Sequence, residues 1–274
     1  MTGAPPEKAA EYLARIEFPE TDPRRIDPEH DTLRRLVSAH LTAVPFENLA
    51  ITGHPHRDDD GEGVSLAIPA LYEKIVRHGC GGFCFENNGL FVWLLRGLGY
   101  DVDRCAARVV SDADALGRPP ANHHTALVHL DRPYVVDAGS GTPQPREPVP
   151  LDGTVVTDTV GIDWRTVPDD TALSDYTLQY REGEDWSIRY RFQTEPRELC
   201  YFAATCEFLA NEPGGTFTSS PIVKRSTETG TLALDADSLT RDGERTAAVD
   251  VGEWDRVLHD EFGISLPSEA DHTG

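Results

Sequence analysis

The sequence predicts an α+β fold in three successive zones: an N-terminal helical bundle over 1–99, a central antiparallel β-barrel over 100–195, and a C-terminal α/β lid and tail over 196–274. Three observations carry this. Apolar residues recur at helical spacing in the first zone. The period then shortens to brief β-branched and aromatic runs broken by turn residues. In the last zone helical and strand patterns alternate. A chain of 274 residues is long enough to bury a sizeable core.

In the first zone, DPEHDTLRRLVSAHLTAV sets Leu33, Leu36, Val37 and Leu41 along one stripe, with Asp31 as the expected N-cap. SLAIPALYEKIVRH aligns Leu71, Ile75 and Val76, opened by Ser65 or Pro69. A third helix is expected from Cys84 to Arg96, ended by Gly97 or Gly99. In the second zone DVDRCAARVV, HHTALVHL, PYVVDAG, YTLQYRE and DWSIRYRFQ read as strands, with EGED as a hairpin turn between the last two. Alternation places Trp186, Ile188, Tyr190 and Phe192 on one face. In the third zone PRELCYFAATCEFLANEPGG reads as a helix bounded by Pro196 and Gly214. GTLALDADSLTRDGERTAAVDV then reads as strands with turns, and GEWDRVLHDEFGI as a last helix. The tail SLPSEADHTG is expected to be mobile.

Charge narrows the function classes. The chain holds 47 Asp and Glu against 25 Lys and Arg, a net charge of −22, and only Lys8, Lys74 and Lys224 are lysines. Nucleic-acid binding needs a basic face, so no such partner is expected. Carboxylates this dense repel one another in dilute salt and are screened in concentrated salt. That fits an ordinary soluble acidic protein or one from the acidic proteome of a salt-loving host. No apolar run approaches the roughly 18–20 residues that span a bilayer, and the start of the chain does not look like a signal peptide. No membrane partner and a cytoplasmic address are expected. Five cysteines, an odd number at irregular spacing, suit free thiols in a reducing compartment.

The chemistry concentrates in HGCGGFCFENNGLFVWLL. Cys80 and Cys84 are not spaced as a zinc half-site, and Cys200 and Cys206 do not supply a matching pair, so no metal is expected. Packing or nucleophilic catalysis remain. Gly81 and Gly82 allow a sharp turn, after which Cys84 falls in the first turn of a helix. Unpaired N–H groups and the positive helix end favour a thiolate there. Cys206 and Cys200 sit in an apolar helical pattern and read as core. A base and an orienting acid are available in NHHTALVHLDRPYVVDAGSG, where His123 and Asp137 lie at matching ends of two predicted strands. His124 and His129 are rivals: alternation sets His123 and His129 on one face and His124 on the other. His54 and His56, in GHPHRDDD, read as a solvated polar loop.

At these blocks the chain resembles the arylamine N-acetyltransferase family. YLARI and TLRRLVSAHLTAVPFENLAI are similar to its opening helices, and GGFCFENNGLFVWLLRGLGYDV to its active-site cysteine block. HHTALVHLDRPYVVDAGSG resembles its His and Asp block, and EPRELCYFAATCEFLANEPGGTF with FTSSPIVKR its C-terminal part. Four blocks in order cover about 250 residues. The resemblance implies a cysteine-protease-like triad: Cys84 as the acetyl-accepting nucleophile, His123 as base and Asp137 as orienting carboxylate. It implies ping-pong transfer from acetyl-CoA to the nitrogen of an arylamine or hydrazine, with thiolate and imidazolium paired at rest. Phe46, Phe83 and Ser140 would line the acceptor pocket. Gly139 and Ser219, with Gly141, Lys224 and Arg225 in support, would receive CoA.

Three features depart from that family. Cys80 stands where an arginine usually precedes the Gly-Gly pair and would pair with Glu47; either Arg77 or His78 is expected to replace it, or Glu47 is expected to be solvated. Ser140 stands where many members have Phe, which widens the pocket beside Asp137. The acidic balance leaves few cations for CoA phosphates. A related amide synthase acting on a carrier-bound acyl chain, a CoA-independent cysteine hydrolase and a non-catalytic acyl-CoA sensor are the alternatives.

Overall fold

The computed structural model describes residues 3–57, 61–109, 119–171 and 173–266. Helix α1 (Pro6–Arg15) opens on a proline, whose missing N–H is no loss in a first turn. Helix α2 (His30–Ala43) buries Leu33, Leu36, Val37 and Leu41 as the stripe requires. Its N-cap is Glu29, and Asp31 lies inside the first turn, where a negative charge still meets the positive helix end. A two-residue strand β1 (Phe46–Glu47) and a short α3 (Leu49–Thr52) follow. Helix α4 (Ile68–Tyr72) holds Pro69 in its first turn and passes into a π-helical turn, Glu73–Arg77. Helix α5 (Cys84–Gly97) is buried at every residue from Cys84 to Leu95, so it is the central rod of the molecule.

The barrel strands are β2 (Asp101–Arg108), β3 (His123–His129), β4 (Pro133–Val136), β5 (Val149–Pro150), β6 (Val156–Thr157), β7 (Asp163–Pro168), β8 (Tyr176–Arg181) and β9 (Ser187–Pro196). They hydrogen-bond in the order β5-β4-β3-β2-β9-β8-β7-β6. The Thr166 hydroxyl on β7 donates to the Pro150 carbonyl on β5 at 2.8 Å, which curls the sheet into a near-closed barrel. Leu127, Val135, Trp164, Leu178, Tyr190 and Phe192 fill it.

The expected four-residue face on β9 is broken. Leu178 pairs with Tyr190 but Gln179 pairs with Ile188, so Arg189 is an extra residue on β9. Such a bulge shifts the alternation by one. Tyr190 and Phe192 stay inside, whereas Ile188 is 41 % exposed. Trp186 lies before the strand, between the guanidinium groups of Arg165 and Arg181 at 4.0 and 4.8 Å from its ring centre.

In the C-terminal part Pro196 ends β9, and a 3₁₀ turn, Leu199–Phe202, leads into α6 (Ala203–Asn211). Cys200 in that turn is exposed rather than core, while Cys206 is buried. Strands β10 (Val223–Ser226), β11 (Thr231–Leu234), β12 (Ser238–Arg241) and β13 (Glu244–Ala248) form a second sheet with β1 at its edge. Pairing of Phe46 with Lys224 and of Glu47 with Val223 was not legible in the sequence, because a two-residue strand has no period. Helix α7 (Trp254–Phe262) ends on Gly263 in the left-handed region, at φ 71°. The GHPH segment is packed rather than solvated: His54 stands edge-on to Trp254 at 4.6 Å and His56 Nε2 lies 2.8 Å from the Ala236 carbonyl. Most of the tail expected to be mobile lies outside the described residues. Among those described, no helix is long and apolar enough to cross a membrane.

Candidate active site

The turn before Cys84 is set by close approach. A Cβ on Gly81 would lie 2.1 Å from the Pro45 carbonyl oxygen, and one on Gly82 would lie 2.7 Å from Glu86 Cβ. Glu47 N–H donates to the Gly82 carbonyl at 3.0 Å and Gly82 N–H to the Pro45 carbonyl at 3.2 Å, so β1 and the turn lock together. Glu86 reaches back to accept the Phe83 N–H at 3.1 Å, closing the N-terminus of α5. Two carboxylates, Glu47 and Glu86, are thereby buried under the turn at 1 % and 2 % exposure. Their cation is Lys74, from the π-helical turn, with Nζ 3.0 Å from Glu47 and 2.9 Å from Glu86. The expectation that Arg77 or His78 takes that arginine's place, or that Glu47 is solvated, is therefore corrected. Arg77 stays half exposed and pairs with Glu11 at 3.3 Å. A wider π turn carries Lys74 inward, which a helical wheel does not register. Burial disfavours both charged forms; the coulombic pull of Glu47 and Glu86 still raises Lys74 above the ordinary lysine value. Burial keeps Glu86 raised despite Lys74.

His123 and Asp137 come from β3 and the end of β4. The β3–β4 ladder closes at Ala126 opposite Val136, so Asp137 is one step beyond and His123 is its diagonal neighbour. His123 Nε2 lies 2.7 Å from Asp137 Oδ2, with both side chains buried. The rival His124 faces the other way. Its ring stacks on Phe85 and Phe202, its Nε2 lies 3.3 Å from the Phe85 carbonyl, and burial drives its pKa well down, so it is a neutral core residue. His129 pairs with Asp103 at 2.8 Å.

Asn88, one turn along α5 from Cys84, joins the two halves. Its Nδ2 donates to the His124 carbonyl at 2.7 Å and to Asp137 Oδ1 at 2.9 Å, and its Oδ1 accepts the Ala138 N–H at 2.7 Å. Sequence reasoning missed it; an Asn on a wholly buried helix was the available signal, since a buried amide needs partners. Gly139 brings the Asp137 turn onto Cys84: a Cβ there would meet the Cys84 carbonyl oxygen at 2.8 Å and its Cα at 3.0 Å. Burial alone would raise Asp137. The charge of His123 and the hydrogen bonds from His123, Asn88 and the Gly139 N–H outweigh it and hold the carboxyl at about 2.

Cys84 is 4 % exposed. Burial pushes its thiol well up, Cys206 and Asp137 add to this, and the Phe85 N–H opposes it weakly. This desolvation works against the resting thiolate that the helix end favours.

The other expected site residues divide. Phe46 faces the Phe217 ring at 6.3 Å, and Phe83, fully buried, packs edge-on to Phe85 and Phe217 at 5.5 and 5.3 Å. Phe217 and Phe202 thus complete an aromatic wall that the sequence did not single out. Ser140 is 9 % exposed, its hydroxyl has no partner among the described residues, and its carbonyl accepts a hydrogen bond from Arg189. Gly139 does not offer its N–H to a phosphate, since that group donates to Asp137 at 2.9 Å. Ser219 is exposed, with its hydroxyl donating to the Gly215 carbonyl at 2.7 Å. Lys224 and Arg225 both line a narrow cleft with Phe46, Asn87, Ala138 and Gly141, and Arg225 also donates to the Thr42 and Glu261 carbonyls.

Comparison with known proteins supports the family resemblance seen in the sequence. An N-acetyltransferase family model matches residues 29–271. An arylamine N-acetyltransferase of Mycolicibacterium smegmatis is 33 % identical over 75 % of this chain and 72 % of its own. A pineal gland arylamine N-acetyltransferase isozyme of Gallus gallus is 29 % identical over 93 % of both. Among solved structures, the Mycobacterium marinum arylamine N-acetyltransferase in complex with CoA superposes with a TM-score of 0.77 at 33 % identity, covering 93 % of this chain and 92 % of that one. The Bacillus cereus enzyme, described with a Cys-His-Glu catalytic triad, superposes with a TM-score of 0.83 at 26 % identity, covering 95 % and 99 %. The chain belongs to the arylamine N-acetyltransferase family.

Proposed function

We propose that Cys84 is the acetyl-accepting nucleophile of this acyltransferase, with His123 as its base and Asp137 as the orienting carboxylate. The observation that carries the reading is the buried 2.7 Å His123–Asp137 pair, tied through Asn88 to the helix that begins at Cys84. With Nε2 engaged by Asp137, Nδ1 is the nitrogen left for the sulfur. Cys84 gives its proton to His123 Nδ1, and the sulfur attacks the thioester carbonyl of acetyl-CoA. The resulting imidazolium is compensated by Asp137, which stays ionised. The carbon–sulfur bond to CoA breaks, and the departing thiolate takes the proton from Nδ1. An arylamine or hydrazine nitrogen then attacks the acetyl-Cys84 carbonyl, gives a proton to Nδ1, and Cys84 leaves and is reprotonated.

Phe46, Phe83, Phe217 and the Ser140 turn receive the aromatic acceptor. Lys224 lies toward the CoA side, where a cation suits phosphate oxygens. Intact-mass measurement after incubation with acetyl-CoA and no amine tests the reading. One acetyl adduct is expected on the wild type and none on Cys84→Ala. An adduct that persists in the variant removes Cys84 from the mechanism.

A further inference from the structure

Arg104, in the middle of β2, is 1 % exposed and pairs with no carboxylate among the described residues. Its Nε and Nη1 are buried with no acceptor there, and Nη2 reaches only the Gly89 carbonyl, at 3.5 Å. The β2–β3 ladder sets Arg104 opposite Ala126 and His124 opposite Ala106. The two basic side chains are therefore diagonal neighbours on the sheet face that meets α5. His124 Nε2 turns to the Phe85 carbonyl and Arg104 to the Gly89 carbonyl, one helical turn apart. His124 Nδ1 is also buried without a partner among the described residues. Gly89 has no side chain at this level and Leu199 closes over it: a Cβ there would meet the Leu199 methyls at 3.2 and 3.3 Å. Nearby charges do not offset the guanidinium. Arg96 repels it, and Glu198, which attracts it, is an exposed residue. Burial, with Arg96 in support, lowers the Arg104 pKa to about 10, so the group stays charged at neutral pH. An unpaired buried cation is costly, and an anion beside it removes most of that cost.

We propose that the layer between α5 and strands β2–β3 holds a buried halide ion, chloride in ordinary salt solution, seated against the Arg104 guanidinium beside His124. The ion accepts hydrogen bonds from the guanidinium N–H groups that the protein leaves without acceptors. A single-atom anion suits the surroundings. A phosphate or carboxylate brings further oxygens that need donors, and Leu71 and Leu199, which pack against Gly89, offer none. The net charge of −22 opposes anions at long range, so the ion loads at raised salt, where the surface charges are screened. Once seated, it helps fasten the barrel to the Phe85–Gly89 turn of the helix that begins at Cys84. The inference stands independently of the catalytic reading above.

The test compares the full-length protein in sodium chloride and in sodium gluconate at equal ionic strength, so that screening is common to both. Gluconate is too large to enter. The gain in Tm from gluconate to chloride should be larger by about 2–4 °C in the wild type than in Arg104→Met, whose apolar side chain fills the position without attracting an anion. Equal gains in the two proteins overturn the proposal and leave the guanidinium to water. Should Arg104→Met fail to fold, crystals of the wild type grown from sodium bromide supply the second measurement. An anomalous-difference peak within hydrogen-bonding distance of the Arg104 guanidinium supports the site. Bromide peaks confined to the protein surface sink it.

Discussion

Replacing Lys74 by methionine should destabilise the protein by about 3–5 kcal/mol near neutral pH, the range for removing one partner of a buried charge pair. The structure sets this figure. Lys74 Nζ lies 3.0 Å from Glu47 and 2.9 Å from Glu86, and both carboxylates are almost fully buried under the turn that carries Cys84. Methionine keeps the aliphatic stem but leaves two facing carboxylates without a counter-ion. At least one must then hold a proton in the folded state. A carboxyl whose folded pKa is raised above its unfolded value stabilises the fold below that unfolded value, and the benefit is lost as pH rises through the folded value. The variant should therefore approach wild-type stability near pH 4–5 and fall away above pH 6. For a chain of this size the loss at pH 7 corresponds to a Tm lowered by about 10 °C. Urea unfolding at constant ionic strength from pH 4 to 8 is the assay. Adding Glu86→Gln to Lys74→Met should recover much of the deficit, because it removes one of the two stranded charges. A Lys74→Met protein within 1 kcal/mol of wild type at pH 7, or one with no pH dependence of the difference, would refute the reasoning.

Two further outcomes are expected. Asp137→Asn should lose about 2 kcal/mol at neutral pH, from a carboxyl held at about 2 against an unfolded value near 3.9. A depressed folded pKa stabilises above the unfolded value and is lost as pH falls through the folded one, so the gap to wild type should close between about pH 4 and 2 in acid-unfolding curves. Gly139→Ala puts a Cβ 2.8 Å from the Cys84 carbonyl oxygen and 3.0 Å from its Cα; it should cost about 1–3 kcal/mol and slow acetyl-enzyme formation at least tenfold in stopped-flow assays.

The order of bundle, barrel and lid was readable because burial writes a period into the chain. Leu33, Leu36, Val37 and Leu41 had to share a helical face, and HHTALVHL and PYVV had to pair as strands. The Cys84 turn and the His123–Asp137 pairing were readable as well, since a Cys after Gly-Gly at a helix start and a His diagonal to an Asp are local patterns. What the sequence could not specify depends on contacts between segments far apart in it. Lys74 serves Glu47 and Glu86 through a π turn whose extra width no spacing rule registers. The Arg189 bulge overrides strict alternation on β9, and Asn88 acquires its role only when helix and barrel meet. The ionisation of Cys84 is likewise tertiary. The helix terminus that favours a thiolate is a local feature, but the burial that opposes it more strongly comes from the whole surrounding core.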